Sequence, residues 1–274
     1  MLRFVFALAS LAPYVFCQTL PSFNWDQRID NSGLDIWAGM GTDSQGNVYV
    51  AGSTLSPTFS VKSAVQANLA SAGLYVIYEP DSAYSHVGTN WVITSLAADP
   101  ATSGVLFGVS LGAGVKSVDG GNTWSVLPIP STAVQAFAID PSNGQNVYAA
   151  AYDIGFLKST DAGATWNTIN NGLIPSGEFG AYDVWIDPNF PNVIFASYGN
   201  YLIRSADAGA NWQQVGPLDG LFNLYFETPE PGVIYLMPSG YGVFKSVDDG
   251  QTFQAVNVPV TLIFADPRAF SYLT

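Results

Sequence analysis

The sequence Ser117-Val118-Asp119-Gly120-Gly121-Asn122-Thr123-Trp124 returns three more times in related form along the chain. All four copies fit S-x-D-x-G-x-(T/N)-(W/F), and they begin at residues 117, 159, 205 and 246, which are 42, 46 and 41 residues apart. A repeat of this period is typical of stacked supersecondary units. We call each copy a box, and its shared positions are Ser117, Asp119, Gly121, Trp124, Ser159, Asp161, Gly163, Trp166, Ser205, Asp207, Gly209, Trp212, Ser246, Asp248, Gly250 and Phe253.

The residues around each box predict four short strands. In one unit, Val134 to Asp140 and Asn146 to Tyr152 are apolar runs, Phe156 to Ser159 leads into the box, and Trp166 to Ile169 leaves it. Because proline cannot donate a hydrogen bond to a sheet, Asp-Pro steps mark strand ends. They occur at Asp99-Pro100, Asp140-Pro141, Asp187-Pro188 and Asp266-Pro267. Four strands in a repeat of this length predict one blade of a β-propeller.

Two patterns carry a resemblance to known propeller families. The boxes resemble the Asp-box, or BNR, repeat of β-propellers in the sialidase-like superfamily. The segment Asp43-Ser44-Gln45-Gly46-Asn47-Val48-Tyr49-Val50-Ala51-Gly52 resembles a bacterial β-propeller repeat built on D-x-x-G-N-V-Y-V-x-G. The resemblance implies an all-β fold, namely a single β-propeller of four-stranded antiparallel blades.

The repeat predicts about six blades. Five fairly complete units run from about Gly33 to Val256, although Tyr78 to Trp91 lacks the box expected in the first unit. Leu262 to Asp266 has the character of the first strand of another blade. Two alternatives follow for that blade: a strand from Phe23 to Ile29 completes it, or the sequence is truncated within it.

The box is expected to be a structural turn rather than a reactive site. Its glycine tolerates positive φ, and its Asp, Ser and Thr side chains can hydrogen-bond to the turn backbone. The same residue types recur in every box, whereas a catalyst is needed once. Asp248-Asp249-Gly250 is the nearest approach to a calcium loop, but it lacks alternating ligands, so no metal site is predicted.

Composition limits the partners of this protein. The 274 residues carry a formal net charge of -13, and only 11% of them are charged while 14% are aromatic. An acidic chain that is poor in lysine and arginine disfavours binding to nucleic acid or to anionic lipid. The composition is typical of an extracellular all-β protein with many turns.

The first residues have the pattern of a secretory signal peptide. Arg3 is followed by the apolar run Phe4 to Phe16, and a plausible cleavage site lies between Cys17 and Gln18. The apolar run is too short to span a bilayer. The sequence therefore predicts a signal peptide over 1–17, a propeller domain over 18–274, and a secreted, periplasmic or cell-surface location.

The sialidase resemblance implies a catalytic set that this chain does not supply. That family binds the substrate carboxylate with three arginines. Arg3 falls in the predicted signal peptide, and Arg204 leads into a box where the other boxes have lysine, so only Arg28 and Arg268 remain. The single histidine, His86, is expected in a solvated loop, which leaves no base for a serine nucleophile. Sialidase activity is therefore not predicted.

The loops opposite the boxes provide the best candidate binding site. If each box joins the third and fourth strands of a blade, the turns between strands two and three and the connections between blades lie on the other face of the disc. Aromatic and polar side chains expected on that face as a ligand-binding surface are Tyr152, Asp153, Tyr198, Asn200, Tyr201 and Tyr241.

Two functions fit this surface. The first is a secreted, non-catalytic propeller that binds a glycan or an extracellular protein and needs no cofactor. The alternative is an extracellular glycosidase that uses a pair of carboxylates on the loop face, since glycoside hydrolysis needs two acids at a fixed separation. The candidate acids for that alternative are Glu178, Asp183 and Asp219.

Overall fold

The computed structural model describes residues 35–45, 48–54, 73–78, 83–87, 91–173, 180–215, 222–226, 230–238 and 243–256. These residues form five four-stranded antiparallel sheets, and no helix occurs among them. A helix long and apolar enough to cross a membrane is likewise absent from these ranges. The predicted signal peptide over 1–17 and the strands predicted at Phe23 to Ile29 and Leu262 to Asp266 lie outside the described residues.

Each sheet is one blade, and its strands are hydrogen-bonded in the order of the chain, which confirms the predicted propeller architecture. The first blade is β1 (Asp35–Thr42), β2 (Val48–Thr54), β3 (Gly73–Tyr78) and β4 (Ala83–Val87). The second is β5 (Ile93–Ala98), β6 (Leu106–Ser110), β7 (Ala113–Ser117) and β8 (Ser125–Val126), and the third is β9 (Val134–Ile139), β10 (Val147–Ala151), β11 (Gly155–Ser159) and β12 (Asn167–Thr168). The fourth is β13 (Ala181–Ile186), β14 (Ile194–Tyr198), β15 (Tyr201–Ser205) and β16 (Gln213–Gln214), and the fifth is β17 (Phe222–Phe226), β18 (Ile234–Pro238), β19 (Val243–Ser246) and β20 (Gln254–Val256).

The first blade has four strands although it has no box. Its last strand, β4, contains His86, which pairs with Tyr75 on β3. The prediction of a loop at His86 was therefore wrong. An outer strand is held by backbone hydrogen bonds to a single neighbour, so its sequence need not show the apolar run that marks the inner strands.

Apolar side chains of neighbouring blades bury one another. Between the third and fourth blades, Phe156 and Val184 belong to one buried cluster with Trp212. Trp212 is the aromatic residue of its box, and its Nε1 donates to the carbonyl oxygen of Ile169 in the preceding blade at 2.6 Å. All five residues of β10 are buried, because this inner strand is covered on both faces. Burial of this apolar surface is the main stabilising force between blades.

Each box forms the same hydrogen-bonded turn between the third and fourth strands. In the second box, Ser159 Oγ accepts from the backbone N–H of Gly163 at 2.8 Å and donates to Asp161 Oδ1 at 2.7 Å. The Asp161 carboxylate also accepts from the Thr165 N–H and hydroxyl at 2.8 and 2.6 Å. Gly163 has a φ of 89°, and a Cβ there would lie 2.9 Å from the Phe107 ring of the preceding blade. Both its backbone conformation and its close packing therefore require glycine.

The turns divide between two faces of the disc. In each box one backbone N–H donates to the turn between the first and second strands of the same blade, as Ala162 does to the Gln145 carbonyl at 3.0 Å. We call this side the box face. Because the strands are antiparallel, the turns between second and third strands and the connections between blades lie on the opposite side, which we call the loop face.

Candidate functional site

A strained and exposed leucine lies on the loop face. Leu111 and Gly112 form the turn between β6 and β7, with φ values of 51° and 81°. The left-handed conformation is unfavourable for a bulky side chain, and Leu111 is also 85% exposed. The strained backbone of Leu111 costs free energy that burial of its side chain does not offset. Strain of this kind clusters at functional sites, so the residues around Leu111 are candidates for function.

Two tyrosines from neighbouring blades, one exposed and one half-buried, form a ring pair. Tyr152 lies in the turn after β10 and is 45% exposed, and its ring centroid is 5.5 Å from that of Tyr182 at an interplanar angle of 70°. Tyr182 is displaced from regular pairing by a register shift between Ala181 and Asp183. A bulge of this kind re-aims a side chain near a sheet edge. Burial raises the pKa of the Tyr182 phenol, and the neighbouring Tyr152 raises it further, so the phenol stays neutral at physiological pH.

The Tyr152 ring packs against the backbone of a glycine. The backbone of Gly180 runs against Tyr152, and a Cβ at Gly180 would overlap the ring. The N–H of Tyr152 donates to the Ala133 carbonyl at 2.9 Å, which joins the turn to the blade connection beside it. Gly180 and Tyr182 thus flank the ring, and the hydrogen bond to Ala133 holds its backbone.

A carboxylate lies in the same turn as this ring. Asp153 is exposed in the same turn, and its Oδ1 accepts a hydrogen bond from the Ser131 hydroxyl. The Ser131 hydroxyl in turn accepts from the backbone N–H of Ala133 at 3.0 Å. The blade connection at 131–133 thus positions the acid. We call Leu111, Tyr152, Asp153 and Tyr182 the loop-face patch.

A second carboxyl group lies deeper on this side. Asp183 follows the bulge at Tyr182 and is partly buried. Burial raises the pKa of this carboxyl to about 7, although the N–H of Val184 donates to it at 2.8 Å and acts in the opposite direction. A carboxyl group that keeps its proton up to neutral pH can donate a hydrogen bond or a proton.

The other predicted binding residues lie in different settings. Tyr198 and Tyr201 pair across the turn between β14 and β15, and both pack against the core between the third and fourth blades. The Tyr198 ring is 6.2 Å from that of Phe156. Asn200 is exposed at the tip of that turn. The predicted residues Glu178, Asp219 and Tyr241 lie outside the described residues.

The sequence did not predict three residues of this site, namely Leu111, Ser131 and Tyr182. The glycine at Gly112 between two apolar runs indicates a turn, but a leucine gives no signal for the positive φ found at Leu111. The contact between Tyr152 and Tyr182 joins the third blade to the fourth, and residue spacing within one blade does not reveal it.

The box acids differ chemically from Asp183. Hydrogen bonds from Thr165 lower the pKa of Asp161 to about 2, and the pKa values of Asp207 and Asp248 are also about 2 for the equivalent reason. These carboxylates are permanently ionised acceptors at neutral pH. Within the described ranges, no group of three or more His, Cys, Asp or Glu residues could hold a metal ion.

The lysines and arginines of the described residues lie in blade contacts rather than at the patch. Lys116, Lys158 and Arg204 each donate to a carbonyl oxygen in the next box along the chain, at 2.7, 3.1 and 2.7 Å. Lys245 lies over the ring of Tyr235 in its own blade. Among the described residues, the loop-face patch therefore contains the exposed acidic side chain of Asp153 and no lysine or arginine.

A family model described as a beta-propeller repeat matches residues 30–57, which include the D-x-x-G-N-V-Y-V-x-G segment. No curated protein matches the chain. The match of the family model to the first blade and the five observed sheets agree on the propeller fold.

Solved structures with the same fold include enzymes and binding proteins. The Niastella koreensis GH74 enzyme is 17% identical with a TM-score of 0.63, and the match covers 80% of this chain and 38% of that one. YCF48 bound to D1 peptide is 15% identical with a TM-score of 0.52, covering 84% and 87% of the two chains. A chain of a nidogen–laminin complex is 11% identical with a TM-score of 0.54, covering 76% and 74%. The chain thus spans about two fifths of the GH74 enzyme, and at these identities the likeness shows the fold alone.

Proposed function

We propose that this protein is a secreted, non-catalytic β-propeller that binds a glycan or an extracellular protein through the loop-face patch. The observation that carries the proposal is the Tyr152–Tyr182 ring pair, in which Tyr152 is exposed. Tyr152 packs against Gly180, and the same turn carries an anchored carboxylate. Aromatic residues that are rigid and partly exposed are favourable at binding surfaces, because little conformational entropy is lost on binding.

Further support comes from the position of the patch and from its neighbours in fold. Turns on a rigid scaffold are common places for binding residues. Leu111 adds an exposed apolar side chain on the same face. YCF48 was solved with a bound peptide, and one chain of a nidogen–laminin complex has the same fold, so this fold is compatible with protein binding.

The test is a binding screen with the chain from residue 18 onward. Polysaccharides, oligosaccharides and extracellular proteins are screened, and release of sugar is followed in the same samples. We expect saturable binding without release, and we expect the Tyr152→Ala variant to lose it. Val118→Ala is the matched control, since Val118 is 67% exposed on the box face. Binding that survives Tyr152→Ala but not Val118→Ala would move the site to the box face and overturn the proposal.

A second candidate function is glycoside hydrolysis, and the raised pKa of Asp183 is the observation that favours it. A general acid must hold a proton near the working pH, and a carboxyl with a pKa of about 7 does so. The GH74 enzyme shares the fold. Release of sugar that disappears in the Asp183→Asn variant would replace the binding function by this one.

A further inference from the structure

The lysine and arginine side chains of the described residues make one recurring type of contact. Each lysine or arginine among the described residues lies over an aromatic ring of its own blade, and in three of the four cases it also donates to a backbone oxygen of the next box. Each of these three cationic groups therefore contacts both an aromatic ring and a carbonyl oxygen. The ring contacts are Lys116 on Phe107 at 5.1 Å, Lys158 on Tyr148 at 5.0 Å, Arg204 on Phe195 at 5.9 Å and Lys245 on Tyr235 at 5.4 Å.

The loop-face patch offers a similar pair at the surface, with a carboxylate in place of the backbone carbonyl. Tyr152 supplies the ring, and Asp153, the next residue in the same turn, supplies the oxygen atoms of an exposed carboxylate. None of the four cations in the described residues reaches these groups, since each is placed in its own blade contact. The ring and the acid therefore face solvent without a cation from the described part of the chain.

Both groups are already in place before binding. Ser131 donates to the Asp153 carboxylate and is itself fixed by the Ala133 N–H. Gly180 and Tyr182 hold the Tyr152 ring. A preorganised site loses less entropy on binding than one that must be assembled.

We propose that Tyr152 and Asp153 bind the cationic side chain of a peptide segment in a partner protein, with arginine preferred over lysine. This inference rests on the proposed binding function and selects its protein-binding form. The ammonium groups of Lys116 and Lys158 contact a ring and an oxygen as compact point charges. A planar guanidinium can in addition stack flat on the ring and donate two parallel N–H bonds to a carboxylate, which favours arginine. The net charge of -13 favours approach of a basic partner from solution.

The experiment compares two peptides that differ only in one side-chain group, a charged guanidinium in the first and a neutral urea group in the second. Acetyl-Gly-Gly-Arg-Gly-Gly-amide and its citrulline counterpart are titrated into the protein, and binding is followed by NMR chemical shifts at low and at high salt. We expect the arginine peptide to bind about tenfold more tightly than the citrulline peptide, and we expect added salt to reduce this difference.

Three variants locate the site. Asp153→Asn removes the charge but keeps an oxygen that can accept from Ser131, and it should lower the affinity for the arginine peptide about tenfold. Tyr152→Leu removes the ring and should lower it severalfold. Glu230→Gln removes one exposed acid between β17 and β18 on the box face, and it should leave the affinity unchanged. Urea midpoints of all variants establish that each is folded.

Equal affinities for the two peptides, no measurable binding of either, or an unchanged affinity in Asp153→Asn would each overturn the inference. These outcomes are separate from failure of the proposed function. A glycan or neutral protein ligand that is lost in Tyr152→Ala but retained in Asp153→Asn would leave the loop face as the binding site and exclude a cation as the recognised group.

Discussion

The Nζ atom of Lys158 lies 3.1 Å from the carbonyl oxygen of Ala208, and this contact joins the third blade to the box of the fourth. Ala208 has a φ of 57°, so the box places its carbonyl through a left-handed residue. Ala162 and Asp249 have the same conformation, with φ values of 54° and 56°, and they accept from Lys116 and Arg204. The box is thus a contact between blades as well as a turn within one.

Removal of the Lys158 charge should weaken this contact between blades. Lys158→Met keeps the apolar stem but loses the ammonium group, and we expect it to lower the free energy of unfolding by about 2 kcal/mol, the usual value for a hydrogen bond to a charged group. The urea midpoint measures the effect. Lys245→Met is the matched control, because Lys245 has the ring contact but no carbonyl acceptor among the described residues. Equal losses in the two variants would contradict a role for the Ala208 carbonyl.

The depressed pKa of Asp161 predicts how the protein responds to acid. The folded pKa is about 2, against 3.8 for the free group, so the unfolded chain binds the proton first. The stability from this group is present above about pH 4 and is lost as the pH falls toward 2. We expect Asp161→Asn to be less stable at neutral pH and to lose less on acidification. Acid unfolding followed by tryptophan fluorescence measures this, and a curve as steep as the wild type would refute the assignment. Glu230→Gln serves as the control acid without box hydrogen bonds.

The box pattern and its period were enough to predict the fold. The reason is physical, since Ser159, Asp161 and Gly163 make their contacts with one another inside one short turn. Local contacts of this kind leave a fixed spacing in the sequence. The segment from Asp43 to Gly52 was also predicted to be a propeller repeat, and the family model that matches residues 30–57 includes it.

The candidate site could be predicted only in part, because its contacts cross between blades. Tyr152 was expected on the loop face, but Tyr182 reaches it through a bulge near the start of β13, and a register shift has no clear sequence signal. Lys158 stood out only as a repeated basic residue before the box, and its acceptor Ala208 belongs to the next repeat. Spacing within one unit cannot reveal such pairs.

The raised pKa of Asp183 predicts a dependence of opposite sign to that of Asp161. Between about pH 4 and 7 the folded protein holds a proton that the unfolded chain has released, so the contribution of this group to stability falls as the pH rises and levels off above 7. Asp183→Asn keeps an acceptor for the Val184 N–H and has no proton to lose. We expect the variant to gain stability relative to the wild type between pH 5 and pH 8, measured as the urea midpoint at both values. Both proteins share every other titrating group, so a constant difference would contradict the raised pKa.

The strain at Leu111 predicts that stability and binding will separate. In Leu111→Asn the turn becomes Asn-Gly, which is the preferred pair where two successive residues have positive φ. Relief of a left-handed leucine should raise the free energy of unfolding by about 1 kcal/mol. If the exposed leucine belongs to the binding surface, the same variant should bind the ligand from the screen more weakly. Gly112→Ala is the control of opposite sign, because Gly112 has a φ of 81° and an added Cβ would overlap the Thr132 carbonyl. A stabilised Leu111→Asn with undiminished binding would remove Leu111 from the loop-face patch and leave Tyr152, Asp153 and Tyr182 as its members.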